Sequence, residues 1–164
     1  MFASILAALA IATDACNAIP ADAVQALQES RSAVLYSLEP ISPEGFRGRT
    51  FKGYQLFGKT RIEGASYKIA ADEFRNAATR SNGYGAACFD PRHAIEVAAK
   101  GHTFTFLLCY ACKQMAVYRD GKMITKVDAA GSSKTLNRIL TAAKVPLSTS
   151  YDETRQKGQN ADSD

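Results

Sequence analysis

Four residues stand out for chemistry: Cys88 and His93 in CFDPRH (88–93), and Cys109 and Cys112 in CYAC (109–112). Thiolate and imidazole are the ligands zinc prefers, and four of them close a tetrahedral site. CYAC falls between two strand-like stretches, so a hairpin tip there can aim both sulfurs at one point. Asp90-Pro91 turns the chain after Cys88, with the proline fixing φ, and can return His93 to the side of Cys88. The spacing therefore predicts a Cys3His zinc site of Cys88, His93, Cys109 and Cys112. With every position filled by protein, that zinc is structural, because catalytic zinc keeps a position open for water. Three thiolates and a neutral imidazole leave the complex one negative charge, which Arg92 and Lys113 can offset from beside the ligands.

Two other readings of the same residues stay open. In an oxidising compartment cysteines pair. Cys88–Cys109, between neighbouring strands, is then the expected bond, since one across two intervening residues is tightly constrained. His93 becomes an ordinary strand histidine and one thiol stays free. The third reading is a thiol-dependent enzyme or redox protein using the CYAC cysteines. Against it, a redox Cys-x-x-Cys normally sits at a helix N-terminus that lowers the thiol pKa, whereas KQMAVY (113–118) reads as a strand. A Cys88/His93 nucleophile pair has no recognisable orienting Asn or Asp. No catalytic residue is assigned.

Other chemistry has weaker footing. No pair of carboxylates sits at an apolar strand end, which leaves glycoside hydrolysis without candidates. Gly83-Tyr84-Gly85 lacks the strand–turn–helix setting of a phosphate loop. FRGRTFKGY (46–54) interleaves Arg47, Arg49 and Lys52 with Phe46, Phe51 and Tyr54. It suits an anionic partner, but reads more simply as a solvated loop whose aromatics pack on the domain edge. His102, in a turn after Gly101, is expected to be solvated.

The elements that must hold the cysteines follow from periodicity. ADAVQALQESR (21–31) suits a short helix with Asp22 near its N-cap. Val34, Tyr36 and Leu38 alternate in a strand closed by Pro40. After a loop over 39–50, GYQLFGKTRI (53–62) is a second strand, antiparallel to the first. An amphipathic helix is predicted over 70–80, with Phe74, Ala77 and Ala78 on one face, and SNGYG (81–85) breaks it. From 86 to 127 the pattern is a β meander, with Lys100-Gly101 and Asp120-Gly121 as turns. Ser132 or Ser133 opens a helix to Lys144, and Pro146 ends it. The fold class is α+β: a small, mostly antiparallel sheet with two or three helices, in one domain over 19–147. The tail 148–164 is polar and without hydrophobic period, and is expected to be disordered.

Residues 2–12 are apolar apart from Ser4, a length that suits the core of an export signal and is too short to span a bilayer. A signal peptide over 1–18 follows, cut before Ile19 behind Cys16-Asn17-Ala18. Alternatively Cys16 is a lipid-bearing first residue, although Thr13 stands where such signals usually have Leu. No Lys or Arg precedes the apolar run, and a buried N-terminal helix is the competing reading. Nothing later is long and apolar enough to cross a membrane. In the whole chain 46% of residues are hydrophobic and 22% charged, which is the balance of a globular protein. Twenty basic residues against sixteen acidic give +4, too small a surplus to argue for nucleic acid.

The combination YSLEP, GYQLFGKT, CFDPRHAI and LLCYAC resembles an uncharacterised family of bacterial exported proteins and lipoproteins. The likeness covers about residues 33–147, and its paired elements, Cys-aromatic-x-Pro-Arg-His and Cys-aromatic-x-Cys, are fairly specific. It implies Cys88, Pro91, Arg92, His93, Cys109 and Cys112 as signature positions and export from a bacterial cell. It implies no reaction. The reading that results is a non-enzymatic envelope protein, periplasmic or secreted, that binds a protein partner not named by its sequence.

Overall fold

The computed structural model describes residues 19–40, 46–80 and 87–148. The expected export signal with Cys16, the expected 81–85 breaker and the tail beyond Ser148 lie outside them. The elements are α1 (Ala21–Glu29), β1 (Ser32–Glu39), β2 (Thr50–Phe51), β3 (Tyr54–Glu63), α2 (Gly64–Thr79), β4 (His93–Ala99), β5 (His102–Cys109), β6 (Gln114–Arg119), β7 (Lys122–Asp128) and α3 (Lys134–Ala142). Among the described residues the strands form one antiparallel sheet in the order β2-β3-β1-β4-β5-β6-β7. The α+β class, the pairing of 33–38 with 53–62 and the meander are all present.

Local sequence explains most of this. Lys100-Gly101 and Asp120-Gly121 each hold two successive positive φ values, 51° and 79°, then 49° and 82°. That conformation matches the twist of a two-residue hairpin, which is why Gly closes both. Lys52-Gly53 does the same for β2 and β3, at the junction of the predicted loop (39–50) with the predicted strand (53–62). Helix α2 begins six residues before the predicted start. Tyr67, Ala70, Ala71, Phe74 and Ala77 are all buried, so the apolar stripe extends back by almost two turns from the stretch over which it is obvious. The meander begins later than predicted, at His93, because 87–92 form no strand. Asp22 lies inside α1, whose N-cap is Pro20.

The sheet has two unequal faces. Leu35, Ile95, Val97, Phe106, Leu108, Met115 and Val117 pack against Leu27, Phe74, Leu136 and Leu140 from the helices. Each large apolar side chain buried there is worth about 1.5–3 kcal/mol. Tyr67 crosses from α2 to donate its hydroxyl to the Leu27 carbonyl at 2.7 Å, which ties α2 to the end of α1. The opposite face carries Tyr36, Leu38, Ala94, Leu107 and Ala116. Phe51 stacks on Tyr36 with centroids 3.9 Å apart, and Tyr54 meets Phe89 edge-on. Phe51 and Tyr54 of the 46–54 stretch thus pack onto the domain. His102 is half-exposed and bonds Asp120 at 2.6 Å.

Candidate functional site

Alternation along the strands decides which side chains can meet. In the β4–β5 register His93 lies opposite Leu108, so both point to the helical face. Cys109 is the next residue and points the other way. The sheet therefore separates the histidine from the cysteines.

The cysteines converge on the side away from the helices. Strand β5 ends at Cys109, and a turn over 110–113 reverses the chain, with Lys113 in the left-handed region at φ 54°. Tyr110 anchors this turn by donating its hydroxyl to Glu73 Oε1 at 2.9 Å. The turn brings the Cα atoms of Cys109 and Cys112 to 5.2 Å, and the two form a disulfide, inside the range such a bond spans. The expected Cys88–Cys109 bond is replaced by this local one because the tight turn, not the strand-to-strand spacing, aligns the sulfurs.

Cys88 comes to the same place from the 87–92 loop. That loop is held at Phe89, whose carbonyl accepts the Tyr54 hydroxyl at 3.2 Å and whose ring lies 4.6 Å below Lys126 Nζ. Its end is tied where the Leu38 N–H donates to the Arg92 carbonyl at 3.0 Å. Cys88 Sγ sits 3.4 Å from Cys112 Sγ. Two backbone donors face the sulfurs: Asp90 N–H to Cys112 Sγ at 3.1 Å and Cys112 N–H to Cys109 Sγ at 3.0 Å. Cys109 and Cys112 are 1% and 0% exposed, whereas Cys88 is exposed.

A carboxylate completes the group. One ligand atom each from Cys88, Asp90 and Cys112 lie within 4.8 Å of one another, close enough to hold a metal ion. The donor set, two soft sulfurs and an oxygen, is one zinc accepts. Cys112 is available as a thiolate ligand only when its bond to Cys109 is reduced. In the sequence Asp90 reads only as a turn residue. Its position two residues after Cys88, in a loop rather than a strand, was the available signal.

His93 has other work. It is buried, and its Nε2 lies 2.7 Å from Asn137 Oδ1 on α3. Asn137 Nδ2 reaches Ser133 Oγ at 3.4 Å, which turns the amide oxygen toward the ring. The neutral imidazole therefore carries its proton on Nε2 and donates it. Burial pushes the His93 pKa down from 6.5 to about 4; the Asn137 bond opposes this and the Arg92 charge adds to it. Tyr110 meets the ring edge-on at 6.3 Å. Asn137, four residues into a helix that sequence showed only as apolar on one side, gave no sign of this role.

Compared with protein-family models, curated proteins and solved structures, the chain matches none. The reading of the site therefore rests on its own geometry. Among the described residues, no helix is long and apolar enough to cross a membrane.

Proposed function

We propose that this chain is a non-enzymatic bacterial envelope or secreted protein that acts by binding another protein, with its domain stapled at the cysteine cluster. The observation that carries the reading is the buried Cys109–Cys112 disulfide. A bond sealed from solvent suits a crosslink, and it suits a compartment that keeps cysteines oxidised. The apolar run at 2–12 and the likeness to exported proteins point the same way, with Cys16 as a lipid anchor if cleavage falls before it. Where the cysteines are reduced, zinc takes over as the staple, held by Cys88, Asp90 and Cys112. Asp90 then stands where the spacing had placed His93.

Fractionating bacteria that express the full chain tests this reading, with the mass of the recovered protein measured intact. The expected protein is in the envelope or medium, lacks the first residues and carries one disulfide. Full-length, fully reduced protein in the cytoplasm would refute it.

A further inference from the structure

The exposed sulfur of the cluster is not itself part of the crosslink, and its position gives it a distinct chemistry. We propose that Cys88 is the solvent-facing thiol of a three-cysteine exchange site, through which soluble thiols reach the buried disulfide.

Three observations carry the proposal. First, Cys88 Sγ is 3.4 Å from Cys112 Sγ, in contact with the atom it would attack. Second, the leaving group is prepared. When the Cys88 thiolate bonds to Cys112, the Cys109–Cys112 bond breaks and its electron pair stays on Cys109 Sγ. That sulfur already faces the Cys112 N–H at 3.0 Å, a donor that favours the thiolate. Third, access is one-sided. At 1% and 0% exposure Cys109 and Cys112 are closed to a thiol in solution, while Cys88 is open to it. Cys88 also belongs to an irregular loop rather than to a strand, so the two sulfurs can close to bonding distance without disturbing the sheet.

The exchange itself needs no oxidant. The Cys88 proton is released, the crosslink moves to Cys88–Cys112, and Cys109 is protonated in turn. A soluble thiol can then attack Cys88 Sγ, forming a mixed disulfide and releasing Cys112 as a thiolate that takes up a proton. A second soluble thiol attacks the outer sulfur, yielding the soluble disulfide and restoring the Cys88 thiol. Two electrons have passed from two soluble thiols to the protein, whose site ends with Cys88, Cys109 and Cys112 all as thiols. The substrate class is a small thiol or an exposed cysteine of another exported protein. This chemistry is independent of partner binding but rests on the same Cys109–Cys112 bond: a failed exchange leaves the proposed function standing, whereas a protein without that bond sinks both.

Glutathione is the probe, and peptide mapping the readout. Cleavage after Arg80, Arg92, Lys100 and Lys113 places Cys88 in peptide 81–92 and both other cysteines in peptide 101–113. A Cys109–Cys112 bond closes one peptide on itself, and a Cys88–Cys112 bond joins two. In the full chain, C88S is expected to slow reduction of the disulfide by glutathione about tenfold or more, and the glutathione adduct trapped on the unsubstituted protein is expected at Cys88. C109S, treated with oxidised glutathione, is expected to join peptides 81–92 and 101–113. Equal reduction rates for C88S and the unsubstituted chain would overturn the proposal. So would folded C109S in which Cys88 and Cys112 both remain free thiols. Should C109S fail to fold, the C88S comparison decides alone, because that side chain is exposed.

Discussion

Acid should destabilise this protein through His93. In the unfolded chain the imidazole titrates near 6.5, while in the fold burial holds it down to about 4. Between those values the unfolded state takes up a proton that the folded state refuses. Stability is therefore complete above about pH 6.5, falls as pH drops toward 4, and levels off below it. The gap is worth about 3 kcal/mol at its full extent. The groups facing the ring are Asn137 on α3, Arg92 on the preceding loop and the Tyr110 ring, and none of them is a carboxylate that would rescue the imidazolium. The assay is urea unfolding of the full chain, disulfide intact, at intervals from pH 7.5 to 3.5. His93→Gln is the reference, since its amide can still meet Asn137 but does not titrate. Carboxylates common to both proteins, such as Asp120, whose pKa is lowered by the Thr103 N–H and His102, cancel in the difference. The unsubstituted protein is expected to lose about 3 kcal/mol relative to the variant between pH 7 and 4. Parallel pH profiles would refute the reasoning.

Three further outcomes are expected. Phe74→Ala removes a ring fully buried against Phe106, at 6.4 Å between centroids, and should cost about 3–5 kcal/mol in chemical denaturation. Tyr67→Phe leaves the Leu27 carbonyl without its 2.7 Å donor and should cost about 1–2 kcal/mol in the same assay. In protein reduced beforehand, Asp90→Ala should weaken zinc binding, read by competition with a chromogenic chelator, about tenfold or more; His93→Gln should leave it unchanged.

The fold was legible where patterns were local. The two Gly-closed hairpins and the alternation of Phe104, Phe106 and Leu108 predict the meander, and the pairing of β1 with β3 follows from two strands and a loop. The start of α2 was obscured because its first turns, GASYKI (64–69), carry only Tyr67 as a buried residue. Three of the four predicted site residues were placed together correctly: Cys88, Cys109 and Cys112 do meet. His93 does not join them, and the reason is a parity. Its cross-strand partner is Leu108, not Cys109, and one step of register moves a side chain through the sheet. Register is set by long-range pairing, which spacing along one chain does not reveal. The same limit hid Asn137, which reaches His93 from 44 residues away, and Asp90, whose backbone and carboxylate both face sulfur only because Phe89 pins the loop.

The central claim is that the three sulfurs share one site, with Cys109 and Cys112 bonded and Cys88 the open thiol. It is tested most directly by alkylating the folded, unreduced protein near neutral pH, then quenching with acid and mapping its tryptic peptides. The account predicts one alkyl group on peptide 81–92, at Cys88, and peptide 101–113 closed on itself. A bond from Cys88 to Cys109, or alkyl groups on both Cys109 and Cys112, would contradict it.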